Sequence, residues 1–208
     1  IVNNHELLEQ TIIQTNKFAE NKNQFIVFGT GGSNLGSRAL INILQGKEKN
    51  KVLFYDNVDP ISFQNSIEKF DLRKIGYIII SKSGTTPETL SQFACLIELF
   101  DQKKDLEIFF RNCLIITENK SSPLRKIGMK NKCKILNHEI NIGGRFSVFS
   151  NVAFVPAIIA GIDVKKIHNG VKDILTRMKN ESFKEHLKAS KLLTSNILIH
   201  KINNSVLM

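Results

Sequence analysis

Short apolar runs alternate with longer amphipathic segments along most of this chain. The apolar runs hold five or six residues each: QFIVFG, KVLFYD, YIIIS, CLIIT and KILNH. Runs this short and this apolar are typical of strands whose two faces are both covered. Alternation of such strands with helices predicts an α/β fold, a three-layer sandwich in which a five-stranded, mainly parallel sheet lies between two layers of helices.

Helical segments are predicted between and around these strands. The period of the apolar residues indicates helices near residues 5–20, 33–46, 60–71, 86–102 and 121–131. Gly46 is expected to cap the helix that precedes it. After GGRFSVFS, an apolar helix containing Pro156 is followed by lysine-rich amphipathic helices. This change of character predicts a boundary near Asp163, between a first domain of residues 1–163 and a helical segment of residues 164–208.

Charge and hydropathy exclude two classes of protein. The formal net charge is +10, but the lysines are scattered, and the chain has no zinc finger, no RNP-like aromatic motif and no basic run of five. We therefore predict no nucleic-acid partner. No apolar stretch approaches the roughly 20 residues that a membrane-spanning helix needs, so no membrane association is predicted either.

The cysteines and the chain ends suggest where such a protein works. Cys95, Cys113 and Cys133 form no C-x-x-C pair, so we expect neither a disulfide framework nor a zinc site, and each cysteine should pack as a small apolar side chain. This usage suits a reducing compartment and predicts a cytoplasmic protein. The chain begins at Ile1 without a signal-like segment and ends in an apolar run, so we expect it to be a piece of a longer protein.

Two loops rich in glycine and hydroxyl residues follow two of the predicted strands. They are GTGGSNLG, residues 29–36, and SKSGTT, residues 81–86. Open parallel sheets bind ligands beyond the carboxyl ends of strands, where the strand order reverses. Each loop also runs into a helix whose first amides lack partners, and such a helix start attracts anions. The two loops together predict a site for one phosphate group.

The second loop has more hydroxyl groups than a turn requires. Thr86 suits the N-cap position of the following helix, Pro87 suits its first position, and Gly84 suits the turn itself. A strand-to-helix turn does not also need Ser81, Ser83 and Thr85. The hydroxyl groups of Ser81, Ser83 and Thr86 are candidate donors to a phosphate.

The loops alone leave the kind of phosphate compound open. Neither contains G-x-x-x-x-G-K-[ST], which excludes a P-loop. The first loop has Asn34 where a dinucleotide fingerprint needs its third small residue, although Asp56 closes the second strand where a ribose-binding carboxylate would stand. A Rossmann dehydrogenase remains an alternative, beside the simpler interpretation of Asp56 as a polar residue that leaves a strand.

Three motifs taken together resemble one family. GTGGSNLG, SKSGTTPET and GGRFSVFS occur in this order, and residues 24 to 165 resemble the glucose-6-phosphate isomerases. The first two motifs suit any sugar-isomerase domain, including another phosphosugar isomerase or a non-catalytic phosphosugar sensor, whereas the third is characteristic of this family. The resemblance implies a flavodoxin-like sugar-isomerase fold. It also implies interconversion of glucose 6-phosphate and fructose 6-phosphate through an enediolate-type intermediate, with no metal or organic cofactor.

The resemblance further implies which positions contact the substrate. Arg145 corresponds to an arginine near the reacting carbons, and Glu88 to a carboxylate that helps to orient the ring-opening histidine. A carboxylate near a helix start also serves as a partner for the helix dipole, and Glu88 allows both interpretations. The implied substrate-binding positions are Gly32, Ser33, Ser81, Lys82, Ser83, Gly84, Thr85, Thr86 and Gly144.

The family's proton-transferring groups have no counterpart in this chain. The resemblance places the catalytic carboxylate in a Glu-Ser-x-Gly-Lys type motif of a second sugar-isomerase domain, downstream of Met208, and implies a site completed by a second subunit. We therefore expect this chain alone to be inactive and the full-length enzyme to be a homodimer. The histidines stand in no recognisable catalytic context and are expected on the surface or on helix faces: His5, His138, His168, His186 and His200.

Overall fold

The computed structural model describes residues 5–44, 51–61, 63 and 71–180. Five strands form one sheet in the order β2-β1-β3-β4-β5, and every neighbouring pair is parallel. This sheet confirms the predicted fold class and all five predicted strands. The strands are β1 (Gln24–Phe28), β2 (Lys51–Tyr55), β3 (Ile75–Ile80), β4 (Cys113–Thr117) and β5 (Lys134–Asn137).

Helices connect the strands and follow the sheet. The predicted helices near residues 5–20, 33–46, 86–102 and 121–131 are confirmed, as is the apolar helix that contains Pro156. The short helix α4 was not predicted, because six residues are too few to show a helical period. The helices are α1 (His5–Ala19), α2 (Gly32–Leu44), α3 (Pro87–Gln102), α4 (Leu106–Arg111), α5 (Pro123–Lys130), α6 (Asn151–Ile159) and α7 (Val164–Asn180).

One further predicted helix is described only in part. Of residues 60–71, residues 60, 61 and 63 are helical, residue 71 lies before a 3-10 turn, and the remainder lies outside the described residues. The cap predicted at Gly46 also lies outside them.

Apolar side chains on both faces of the sheet explain why the strands read as continuous apolar runs. Alternate residues of β1, β3 and β4 pack on one face against α3 and α4, whose Phe93, Phe100 and Phe109 are fully buried. The intervening residues pack on the other face against α1 and α6, through Phe18 and Val155. All six residues of β3, the central strand, are buried.

The strand order creates a crevice at the carboxyl edge of the sheet. From β1 the chain passes to β2 on one side, whereas from β3 it passes to β4 and β5 on the other. Connections on opposite sides leave a gap between the loops that follow β1 and β3, which is where doubly wound sheets bind their ligands. The loops that follow these two strands are the two glycine and hydroxyl loops.

The chain divides into two compact units, residues 3–165 and residues 166–208. The sheet and helices α1 to α6 belong to the first unit, and only residues 166–180 of the second are described. That residues 164–208 lead to a further domain stays a prediction. Within the described ranges, no helix is long and apolar enough to cross a membrane.

Candidate functional site

The first loop connects β1 to α2 and lies directly against the end of β3. A Cβ atom added at Gly29 would lie 3.1 Å from the carbonyl oxygen of Ile80 and 2.9 Å from the Cβ of Ser33. Backbone this close to a neighbouring strand has no room for a side chain. The absence of a Cβ at Gly29 therefore lets the start of α2, with the half-buried Ser33, lie beside the residue that precedes Ser81.

The second loop connects β3 to α3 and is closed by its own hydroxyl groups. The hydroxyl oxygens of Ser81 and Thr86 lie 2.8 Å apart, and the hydroxyl of Thr85 donates to that of Ser83 over 2.9 Å. Thr86 occupies the N-cap position and Pro87 the start of α3, as predicted, but the Thr86 hydroxyl does not cap the helix amides. It lies against Ser81 instead.

Hydrogen bonding decides which donors of this loop remain available. The Gly84 amide donates to both the carbonyl and the hydroxyl oxygen of Ser81, at 3.2 Å and 3.1 Å. The Gly84 amide is therefore engaged within the loop, although Gly84 is among the positions that the resemblance implies for substrate binding. The Ser81–Thr86 contact uses one of the two hydroxyl hydrogens of this pair, and the other remains free to donate to a ligand.

Gly84 fits a space that no larger residue fits. Its φ is +67°, in the left-handed region, and an added Cβ would overlap the hydroxyl oxygen of Ser122 and lie 3.0 Å from that of Thr117. The Gly84 carbonyl also accepts from the Leu124 amide at 3.2 Å. The second loop is thus packed on the end of β4 and the start of α5, and a bulky aromatic residue at this position would require a different loop.

The third motif lies against the first turn of α2. A Cβ at Gly32 would overlap the carbonyl group of Gly144 and lie 2.5 Å from the amide nitrogen of Arg145. The Ser147 hydroxyl donates to the carbonyls of Gly32, at 3.3 Å, and Gly144, at 2.5 Å. Gly36, one turn along α2, lies close to Val148. The structure therefore brings Gly32 together with Gly144 and Arg145.

Two of the predicted catalytic side chains have no protein partner among the described residues. Arg145 is exposed in the 3-10 turn over Gly144–Phe149, and Glu88 is exposed in the first turn of α3. Neither side chain forms a hydrogen bond or an ion pair with any residue that the structure describes. Arg145 is thus held at its backbone while its guanidinium group is available to contact a ligand.

The side chain of Lys82 links the second loop to the segment before the third motif. Its Nζ donates to the carbonyls of Ile140 and Ile142, both at 2.9 Å, and lies 3.4 Å from the Glu118 carboxylate. An ammonium group has three hydrogens, and these three acceptors match them. The Lys82 side chain therefore positions the backbone that leads to Gly144, and only its main chain is left to face a phosphate.

Glu118 lies at this edge of the sheet and was not predicted from the sequence. It follows β4 directly, is 5% exposed, and forms ion pairs with Lys82 and Lys120. The hydrogen bond from Lys120 lowers the pKa of the Glu118 carboxyl group, and burial opposes this effect. An acidic residue directly after a buried strand, in CLIITE, was the signal that could have identified it.

Two histidines are buried. His138 and His168 are each 2% exposed. A surface or helix-face position was predicted; His168 lies in helix α7, whereas His138 is on neither the surface nor a helix, and the prediction is wrong for His138. His138 follows the edge strand β5, and its Nδ1 lies 2.9 Å from the carbonyl of Glu139. Burial lowers the pKa of His138 and favours its neutral form. His5 is exposed, as expected, and His186 and His200 lie outside the described residues.

The one residue that suggested a nucleotide cofactor, Asp56, has a protein partner. Asp56, the candidate for binding a ribose, forms a 2.7 Å ion pair with Arg38 of α2. This pair agrees with the simpler interpretation of Asp56 as a polar residue at a strand end. Within the described parts of the chain, no group of three or more His, Cys, Asp and Glu side chains is arranged to hold a metal ion.

Comparisons with known proteins agree on one family. A family model described as phosphoglucose isomerase matches residues 13–199. A probable glucose-6-phosphate isomerase of Methanococcus maripaludis is 33% identical over an alignment of 195 residues that covers 91% of this chain. The glucose-6-phosphate isomerase of Campylobacter jejuni is 34% identical over an alignment of 175 residues that covers 81% of this chain. In both cases this chain covers 42% of the relative's length.

A solved structure shows the same fold. The crystal structure of a hypothetical protein from Thermus thermophilus superposes with a TM-score of 0.76 at 26% identity. The match covers 83% of this chain and 41% of that chain. As in the sequence comparisons, the similar region is less than half of the longer protein.

Proposed function

Because the chain belongs to the phosphoglucose isomerase family, we propose that it is the phosphate-binding part of an isomerase that interconverts glucose 6-phosphate and fructose 6-phosphate. One observation carries the proposal: Gly144 and Arg145 pack against Gly32 beside the crevice between the loops that follow β1 and β3. This packing supports a site in which a phosphate binds the loops while a guanidinium group reaches the sugar carbons.

The phosphate is proposed to lie between the starts of α2 and α3. Unpartnered amides at a helix start carry partial positive charge, and two starts at one crevice attract the same anion. The hydroxyl groups of Ser33, Ser81, Ser83 and Thr86 are the proposed side-chain donors. Support comes from the hydrogen that the Ser81–Thr86 pair leaves free, and from the contact of Gly29 with the end of β3.

Arg145 is proposed to stabilise the charge that develops during the reaction. In an aldose–ketose interconversion, a base removes the proton from C2 and returns it to C1, and negative charge builds up on the oxygens of the enediolate. A guanidinium group that stays charged and offers several donors lowers the barrier when it is already positioned there. Its exposed side chain on a fixed backbone supports this role for Arg145.

The base is proposed to come from protein beyond this chain. We infer this because the chain spans only 42% of the relatives named above, and because Glu88 lies in the first turn of α3, directly after the proposed phosphate loop. The complete isomerase is proposed to be a homodimer whose second subunit completes the site. Under this proposal the present chain binds and polarises the substrate, whereas the remainder moves the proton.

The function is tested by comparing the isomerase activity of residues 1–208 with that of a longer protein, expressed from the coding sequence that continues past Met208. The assay couples the glucose 6-phosphate formed from fructose 6-phosphate to a dehydrogenase. We expect efficient turnover by the extended protein and negligible turnover by residues 1–208, because a positioned acid–base group typically contributes about 10²–10⁴-fold. Robust turnover by residues 1–208 would show that a base lies within them. An inactive extended protein would contradict the proposed function.

The phosphate site is tested by replacing both Ser81 and Thr86 with alanine. We expect the affinity of residues 1–208 for fructose 6-phosphate, measured by calorimetry, to fall by about 1–3 kcal/mol, because the hydrogen bond that this pair can donate to an anion is lost. Inorganic phosphate should lose a similar amount. As a matched control, alanine at Ser91 and Thr176, two exposed hydroxyls on helices, should change neither affinity. Unchanged binding by the Ser81/Thr86 double variant would place the phosphate elsewhere.

A further inference from the structure

Two cysteines that are 20 positions apart in the chain become neighbours in the sheet. Cys113 is the first residue of β4, and Cys133 comes directly before β5. The parallel register pairs Leu114 with Lys134, so one step earlier it sets Cys113 opposite Cys133. Neighbouring strands lie about 4.8 Å apart, and disulfides join residues whose Cα atoms are about 4.4–6.8 Å apart.

Both thiols lie on the same face of the sheet. Cys113 belongs to the apolar cluster beneath α3 and α4, and Cys133 packs against that cluster together with Ile135 of β5. Side chains of one strand alternate between faces, so Cys133 and Ile135, two residues apart, share a face. The two sulfur groups therefore point into one space.

The two thiols differ in access and in acidity. Cys113 is fully buried, and burial raises the pKa of its thiol, whereas Cys133 is only half-buried. The neighbouring Cys113 thiol lowers the pKa of the Cys133 thiol, partial burial opposes this effect, and the Cys133 backbone amide adds to it. A partly exposed thiol of lowered pKa reacts with oxidants before a buried one of raised pKa.

We propose that Cys113 and Cys133 form an oxidation site at which hydroperoxides convert the two thiols into a disulfide. With hydrogen peroxide, the Cys133 thiolate attacks one peroxide oxygen, the O–O bond breaks, and Cys133 becomes a sulfenic acid while one water leaves. The Cys113 sulfur then attacks the Cys133 sulfur, the S–O bond breaks, and a second water leaves. Two electrons pass from the thiols to the peroxide, and both thiol protons end in water.

The cross-link would fasten the edge strand of the sheet. In the described sheet β5 pairs with β4 alone, and all four of its residues are at least partly exposed, unlike the buried residues of β3 and β4. Beyond β5 the chain leads through the segment held by Lys82 to Gly144 and Arg145. A disulfide at the amino end of β5 therefore constrains the strand that leads to the third motif, and a thiol reductant would release it.

The experiment treats residues 1–208, with Cys95 replaced by serine, with hydrogen peroxide. Cys95 is exposed and would add a background of unrelated oxidation. Free thiols are then alkylated in denaturant, and the digested protein is analysed by mass spectrometry. We expect both remaining thiols to disappear together and a cross-linked peptide pair containing positions 113 and 133 to appear. Dithiothreitol should restore both thiols.

Two single variants test the order of events. With Cys113→Ser, we expect oxidation of Cys133 to stop at the sulfenic acid, which dimedone labels; with Cys133→Ser, Cys113 should stay reduced. If serine at this buried position prevents folding, Cys113→Ala replaces it. The cross-linked peptide is measured in the protein that keeps both cysteines, so that result does not depend on either variant folding. The proposal would be overturned if the Cys113 thiol could still be alkylated after Cys133 has been oxidised. It would also be overturned by the persistence of both thiols at peroxide concentrations that oxidise Cys95 in the parent chain.

Discussion

Replacing Arg145 with alanine in the complete isomerase is expected to lower kcat about 100- to 1000-fold, the range found when one preorganised donor to a developing oxyanion is removed. KM should change far less, because the contact strengthens only as charge builds up on the substrate oxygens. Steady-state kinetics with fructose 6-phosphate measure both constants. The stability of residues 1–208 should change by less than about 0.5 kcal/mol, because the side chain is exposed and has no partner among the described residues.

Two further variants test whether the donor geometry and the position of Arg145 matter, and not only its positive charge. Arg145→Lys should recover part of kcat, because lysine keeps the charge but lacks the planar fork of donors. Arg111→Ala is the matched control, since Arg111 is another exposed arginine but ends α4 just before β4, at the opposite edge of the sheet. It should leave kcat and KM unchanged. A rise in KM as large as the fall in kcat/KM, with kcat intact, would show that Arg145 only binds the ground state.

Alanine at Gly32 is expected to damage both stability and activity. The added methyl group would overlap the Gly144 carbonyl and lie 2.5 Å from the amide nitrogen of Arg145, and both are backbone atoms that a side-chain rotation cannot move. Overpacking of this kind costs about 1–3 kcal/mol. Thermal or urea unfolding of residues 1–208 should show this loss. In the complete enzyme, a displacement of Arg145 of about 1 Å should reduce kcat roughly 100-fold.

Gly144→Ala is the control for this prediction, because it adds the same methyl group at the other side of the same contact. A Cβ at Gly144 would lie 3.9 Å from the Cα of Gly32, an ordinary van der Waals distance. The free energy of unfolding should therefore change much less than for Gly32→Ala. Equal destabilisation by the two variants would mean that general crowding at this contact, and not the overlap at Gly32, sets the cost.

The alternation of apolar runs and helices is sufficient to determine the fold class. Each strand reads as a continuous apolar run because both its faces are covered, and a parallel sheet between two helical layers covers them in this way. The residue types of the second loop are equally informative. Thr86, Pro87 and Gly84 occupy the N-cap, the helix start and the turn with positive φ, since these conformations depend on neighbours within a few residues.

Contacts between distant segments required the tertiary structure. The three acceptors of Lys82, the burial of His138 and the pairing of Cys113 with Cys133 all depend on which strands are neighbours and in what register. The identity of a single lysine, histidine or cysteine in the sequence does not indicate which strands are neighbours or in what register they pair. The cysteines, for example, show no C-x-x-C spacing, and the sequence pattern did not indicate that two of them face each other.

The sequence by itself determined the sheet, its helical layers and the two loops at its carboxyl edge, because short-range periodicity and turn chemistry are local properties. Only the tertiary structure decided that Gly32 must lack a side chain, since the group that fills that space is Gly144, and Ser147 reaches the Gly32 carbonyl across 115 positions of sequence. Close packing between parts so far apart is set by strand order and layer geometry. It is this packing that holds Arg145 beside the crevice.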